Sequence, residues 1–245
     1  MLSFEEALRV AGEFAQEIDG LYPGKIEAVF AIGSLGSDYY RPGQSDIDTV
    51  LITRFVRAEI PEVTEQIERI AAQYQARYQV PKGFGAIVFA KEQLFAPYVR
   101  EEELVQEILR LKTQSRLVWG EYDLSAVPMP DWDAIGEDIR HFQEWVDSQP
   151  PFNYSLTAFV NSTLIALKRY LLLKHHIIEF NKFRVIDLYL RHDPPMVNQE
   201  IFDFIQNHLH NVPVTWEEPK RSADIRWHDE LYREINRLVL HDRSQ

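Results

Sequence analysis

The 245-residue chain suits one large domain or two small ones, and its 45% apolar content is ample for a core. A formal net charge of −12 argues against a broad nucleic-acid-binding surface, which needs Lys and Arg against phosphates, and suits a cationic small molecule drawn into a negative cleft. Zero cysteines exclude a disulfide framework and a thiolate metal site, and no run approaches membrane-spanning length.

In chain order, Ser3-Phe4-Glu5-Glu6 reads as a capping box rather than a signal peptide, so a bacterial-type cytoplasm is the expected compartment. It opens an amphipathic helix over 3–19, with Ala7, Leu8, Ala11, Phe14, Ala15 and Ile18 at helical spacing. Strands are expected at 26–32 and 47–53, followed by a helix from Pro61 to about Tyr78 and a third strand from Phe84 to Ala90. A strand–helix–strand crossover makes the second and third strands parallel; the first, joined by a loop alone, should run antiparallel to the second. A further helix is expected from Glu101 to Val118, ending near Gly120. Val127-Pro128-Met129-Pro130 reads as a linker. Beyond it the pattern is helical: about 131–146, 154–175, 182–191, 198–209 and 223–240, divided by Pro150-Pro151, Pro194-Pro195 and the stretch from Val212 to Pro219. The expected fold is therefore α/β plus all-α, a small mixed sheet backed by helices over 1–126 and a helical bundle over 127–245.

The chemistry concentrates in Ala31-Ile32-Gly33-Ser34, a variable loop, and Ser45-Asp46-Ile47-Asp48 entering a strand. Gly33 ends an apolar run where the chain must turn tightly; without a Cβ it lets a triphosphate approach the main chain, and the Ser34 hydroxyl and nearby amides can donate to it. Alternation along a strand sets Asp46 and Asp48 on one side and Ile47 on the other. Two such carboxylates repel unless a cation lies between them, and Mg²⁺ favours carboxylates together with substrate phosphates. The plainer reading makes both aspartates turn residues after Pro42-Gly43 that accept local backbone hydrogen bonds. The Gly-Ser pair at this spacing and the apolar strand that follows favour the metal.

This arrangement resembles the core of the DNA polymerase β-type nucleotidyltransferase superfamily. The Ser45-Asp46-Ile47-Asp48 segment and the overall layout look most like its aminoglycoside adenylyltransferase branch. The motif covers residues 31–52, and a vaguer likeness in helix pattern extends over most of the chain. The resemblance implies Mg²⁺-dependent transfer of AMP from ATP to a hydroxyl of a small, aminoglycoside-like acceptor. Asp46 and Asp48 would hold the metal, and Gly33 and Ser34 the phosphates.

The resemblance also implies a third carboxylate on the neighbouring strand, near the start of the third. The sequence there, Val80-Pro81-Lys82-Gly83-Phe84-Gly85-Ala86-Ile87, has none, and Glu92 falls past the far end. Two readings stay open: Mg²⁺ held by Asp46, Asp48 and the phosphates alone, or a protein that binds nucleotide, in a regulatory or retired role, without transferring it. A third is nucleotidylation of a macromolecule, protein or tRNA, in a toxin–antitoxin setting. Glu101-Glu102-Glu103 offers a general base, or simply an acidic first turn favoured by the helix dipole.

Positive charge for the triphosphate could come from Lys168 in the helical half, because related two-domain nucleotidyltransferases bind nucleotide between sheet and helices. A lysine snorkelling from a buried helix explains Lys168 equally well. Arg41, in the loop before Asp46, is a similar candidate. His175-His176 and the pair His208 and His210 point apart on a helix and read as helix-end or surface residues rather than zinc ligands. Trp119, Trp132, Trp145, Trp216 and Trp227 read as packing residues, any of which could flank an aromatic or sugar substrate.

Overall fold

The computed structural model describes residues 1–37, 39–95, 104–130, 135–136, 156–192, 199–210 and 233. The chain divides into two compact units, Met1–Pro130 and Asp131–Gln245. All but two residues of the helix expected over 131–146, nearly all of that over 223–240, the Glu101-Glu102-Glu103 cluster, and Trp132, Trp145, Trp216 and Trp227 lie outside the described residues.

The first unit opens with α1 (Phe4–Leu21). Its capping box is formed as the sequence spells it: Ser3 Oγ accepts from the Glu6 N–H at 3.2 Å, and the Glu6 carboxylate accepts from the Ser3 N–H at 2.7 Å. Then come β1 (Ile26–Ile32), the short α2 (Gly33–Gly36), β2 (Ile47–Thr53), α3 (Ile60–Tyr78) and β3 (Phe84–Ala90). The three strands occupy the residues expected of them. Helix α4 (Leu104–Thr113) is shorter than the helix expected to run on to Val118, because Arg116–Gly120 forms a fourth strand, β4. The sheet order is β3-β2-β1-β4. β2 and β3 are parallel across the α3 crossover, and β1 is antiparallel to both β2 and β4.

Side chains alternate through the sheet, which gives each face its own core. Ile47 and Leu51 of β2 and Val29 and Ala31 of β1 pack under α1 and α3 with Phe14, Ile18, Ile67 and Tyr74. Val50 and Ile52 of β2, with Ala28, Phe30 and Ile32 of β1, pack under α4 with Ile108 and Leu111. Trp119 is partly buried against the first of these cores. The parallel β2–β3 pair is tied by two threonines: Thr49 Oγ1 donates to the Gly85 carbonyl at 3.0 Å and Thr53 Oγ1 to the Phe89 carbonyl at 2.9 Å. Both hydroxyls are thereby satisfied inside the sheet.

Phe14 joins three elements. It is fully buried, and its ring centroid lies 4.8 Å from Phe84 of β3 and 5.5 Å from Tyr74 of α3. Phe14→Ala removes this wedge from a packed interior and should destabilise the unit by about 3–5 kcal/mol. A urea titration followed by far-UV circular dichroism would read this as a lower midpoint.

The second unit contains α5 (Leu156–His175), α6 (Lys182–His192) and α7 (Gln199–Leu209), close to the helices expected there. Asn181 starts α6 by accepting the Phe183 N–H on its side-chain oxygen at 2.8 Å. Tyr170, Tyr189 and Phe202 join α5, α6 and α7 through ring contacts of 5.4 and 5.5 Å. His175 lies at the end of α5, with its ring 5.1 Å from that of His192. His176 follows in the left-handed conformation. Among the described residues no helix is long and apolar enough to cross a membrane.

Candidate functional site

The site forms where β1 and β2 end side by side. Antiparallel pairing sets Ile32 opposite Asp48, so Gly33, the next residue after Ile32, emerges beside the Asp48 carboxylate. Gly33 adopts φ +63°, in the left-handed region that glycine enters without steric cost. A Cβ on Gly33 would lie 3.5 Å from Asp48 Oδ2, an ordinary contact, so it is the backbone that requires glycine here.

From Gly33 the chain makes the single helical turn of α2. Ser37 Oγ donates to the Gly33 carbonyl at 2.6 Å, and the Tyr39 N–H donates to the Ser34 carbonyl at 3.0 Å. The Ser34 hydroxyl oxygen is buried and has no hydrogen-bond partner among the described residues. Buried polar atoms are nearly always paired, so this hydroxyl is available to a ligand.

The return loop is fixed by its own backbone. The Arg41 carbonyl accepts from the N–H groups of Gln44 and Ser45, both at 3.0 Å, and Ser45 Oγ accepts the Arg41 N–H at 3.0 Å. This turn over Pro42-Gly43 delivers Asp46 to the start of β2. There the Ile47 N–H donates to the Gly83 carbonyl at 3.0 Å, joining the entry of β2 to that of β3.

Asp48 lies on the α4 face of β2, in line with Val50 and Ile52, while Ile47 is buried on the opposite face. Its pKa is raised from the ordinary 3.8 to about 7. Burial is the main cause, and the negative charge of Asp46 adds to it. Arg110 on α4 pulls in the other direction, and Glu107 on the same helix pushes up again. Glu107 and Arg110 form an ion pair with N···O 3.2 Å, their side chains 13% and 26% exposed. Asp48 thus feels the negative charges of Asp46 and Glu107 as well as the positive charge of Arg110.

The third-carboxylate position is equally clear. In the parallel register Asp48 pairs with Gly85, on the same face of the sheet. A Cβ on Gly85 would fall 2.7 Å from Asp48 Oδ1, so the Asp48 carboxylate leans into the space a β3 side chain would occupy.

Of the residues singled out in the sequence, Gly33, Asp46 and Asp48 come together here, with Ser34 next along the chain. Lys168 lies on α5 in the second unit, half-buried, with Arg169 buried beside it. Sequence reasoning missed Glu107 and Arg110: they stand far along the chain on a helix whose pattern signals only amphipathicity. The donor set suits a hard cation, since paired carboxylates with too little counter-charge are the oxygen ligands that Mg²⁺ takes. Among the described residues, no group of three or more His, Cys, Asp or Glu converges as a metal site.

A β1–β2 pair carrying a glycine turn and two acids, a parallel crossover to β3 and a following helical unit define an α/β-plus-helical architecture. The same fold is found in the spectinomycin adenyltransferase AAD(9) from Enterococcus faecialis, solved with ATP and spectinomycin. The two align with a TM-score of 0.61 over 92% of this chain and 97% of that one, at 16% identity. The fold expected from the Gly-Ser and Asp-x-Asp segments is therefore the one observed. A toxin–antitoxin structure with AMP-PNP and another of an MntA-HpeT mutant, 11% and 9% identical, align over 56% of this chain with a TM-score of only 0.28, too low to bear on the fold. The sequence matches no family model and no curated protein.

Proposed function

We propose that the chain is a nucleotidyltransferase that moves AMP from ATP to a hydroxyl of a small, cationic, aminoglycoside-like acceptor in the cytoplasm. The observation that carries this reading is the left-handed Gly33 turn set against Asp48, with Asp46 at the entry of the same strand. The shared fold with an adenyltransferase solved with ATP and spectinomycin supports it.

In this reading Gly33 and Ser34 face the phosphates, and the unpartnered Ser34 hydroxyl donates to one of them. Asp46 and Asp48 would hold Mg²⁺, which when bound neutralises charge on the α-phosphate and the leaving pyrophosphate. The acceptor oxygen attacks the α-phosphorus, the bond to the bridging oxygen breaks, pyrophosphate leaves and the hydroxyl proton is released. The protein contributes mainly position and fixed charge. The sheet domain, 1–126, would supply this machinery, and Lys168 of the helical domain, 127–245, is the cation proposed for the phosphates. The net charge of −12 favours a cationic acceptor.

Gly85 at the third-carboxylate position favours a second reading, a protein that binds Mg²⁺-ATP without transferring AMP. One experiment separates the two: pyrophosphate release from Mg²⁺-ATP across a panel of aminoglycosides and spectinomycin, with nucleotide binding followed in parallel. Release that depends on one acceptor is the expected result. Binding with no release across the panel supports the second reading, and no nucleotide binding overturns both.

A further inference from the structure

Lysines near a protein surface usually keep their ammonium in water, but Lys112 turns its own onto two backbone carbonyls. It lies half-buried in the last turn of α4, where its Nζ donates to the Leu124 carbonyl at 2.8 Å and to the Val127 carbonyl. Both acceptors lie beyond β4, so the contact closes a loop of chain that contains the whole of that edge strand. Leu124–Ala126 is a single 3₁₀ turn capped by Asp123, whose carboxylate accepts the Ser125 N–H at 2.9 Å. The Ala126 N–H donates to the Asp123 carbonyl at 3.3 Å and the Val127 N–H to the Leu124 carbonyl at 3.2 Å. Bonds that long hold a turn weakly. The ammonium adds stronger, charge-assisted ones. Val127, 1% exposed, is buried in one apolar cluster with Ile108 and Leu111 of α4. Nothing comparable holds the residues that follow. Pro128 and Pro130 have no N–H, and among the described residues no backbone hydrogen bond holds Pro128-Met129-Pro130.

We propose that Lys112 is a latch: it straps the chain leaving β4 across α4, so that the fixed part of the sheet unit ends at Val127 and bending begins at Pro128. An ammonium has three donors, and the carbonyls at the two ends of the strap take two of them. The turn therefore cannot unwind without giving up both bonds and withdrawing Val127 from the core. The latch also secures the sheet edge. β4 pairs on one side only, with β1, and Lys112 holds the chain at the end of β4 that leads out of the sheet.

Hydrogen–deuterium exchange of the full chain, resolved by residue, tests the latch. In the parent the Ser125, Ala126 and Val127 amides should be protected, and the Met129 amide should exchange as in an unfolded chain. Lys112→Met keeps an unbranched apolar side chain and removes its donors. Exchange at 125–127 should then quicken about 10–100-fold, the span of a lost hydrogen bond to a charged group, while β1, β2 and β3 keep their parental rates. Lys112→Arg retains charge and donors, and its rates should fall between the two.

Parental rates at 125–127 in Lys112→Met would overturn the latch and leave the burial of Val127 as the hold on the strap. A Lys112→Met chain that loses protection throughout the sheet, or fails to fold, would make Lys112 a support of the whole unit and overturn the latch equally. A protected Met129 amide in the parent would overturn the boundary at Pro128.

Discussion

Asp48→Asn is expected to abolish pyrophosphate release while making the folded chain more stable. The two effects share one cause. Asp48 has its pKa raised from 3.8 to about 7 by burial and by the neighbouring Asp46 charge, so ionising it in the folded state is costly. The folded chain holds this proton up to about pH 7, whereas the unfolded chain releases it near 3.8. The favourable contribution of Asp48 is therefore complete below about pH 4 and is lost as pH rises toward 7. A shift of this size corresponds to about 4 kcal/mol. Solvent contact at a half-buried carboxylate reduces it to about 1–2 kcal/mol. The asparagine variant should thus melt about 2–8 °C above the parent at pH 8, and the gap should narrow at pH 5. Thermal melts at the two pH values check the sign. With Mg²⁺ and ATP present the order should reverse, because ligand stabilises only the protein that binds it. Turnover should fall at least 10³-fold, since a ligand to the ion that neutralises the reacting phosphates is gone. A variant that melts below the parent at pH 8 would show that Asp48 is held by compensating charge rather than strained by its surroundings.

What the sequence made legible follows from how local the signals are. Strands β1, β2 and β3 are apolar runs bounded by glycine, proline or polar turns, and each lies where its run lies. The direction of pairing followed from connection length alone, a loop between β1 and β2 and a helix between β2 and β3. Strand β4 was hidden because no proline or glycine separates Thr113 from Arg116, so the helical period of α4 continues in the sequence to Val118. Its exposure is that of an edge strand, and only the free edge of β1 gives Leu117, Val118 and Trp119 their conformation. The same kind of signal explains the site. Gly33, Ser34, Asp46 and Asp48 lie within one strand–turn–strand unit, and the spacing that reveals them is the spacing that assembles them. Glu107 reaches the neighbourhood of Asp48 only through the packing of α4 on the sheet, which no local pattern encodes. The missing acid at Gly85 was legible in the sequence itself.

Gly36→Ala and Gly85→Ala make a matched pair that separates the scaffold from the site. Neither glycine lies in the left-handed region, so each substitution is judged by what a Cβ would meet. At Gly36 it would fall 2.4 Å from the Gln114 carbonyl oxygen, 2.7 Å from that of Ala31 and 3.1 Å from Ser115 Cα. All are backbone atoms, in β1 and in the corner between α4 and β4, and none can swing aside. Accommodating the methyl group forces that corner away from β1, and overpacking of this kind costs about 1–3 kcal/mol. Because α4 leads into the corner, its packing over Asp48 should shift as well. Gly36→Ala is therefore expected to lower the urea midpoint of the sheet unit and to weaken metal-nucleotide binding in step. At Gly85 the close atoms among the described residues are those of the Asp48 carboxylate, 2.7 Å away at the nearest, and a side chain can rotate. Gly85→Ala should leave the urea midpoint nearly unchanged, while pushing Asp48 off its position beside Gly33 and lowering metal-nucleotide affinity alone. If both variants lose stability equally, Asp48 is fixed as rigidly as the backbone, and the freedom of its carboxylate to meet an ion is refuted.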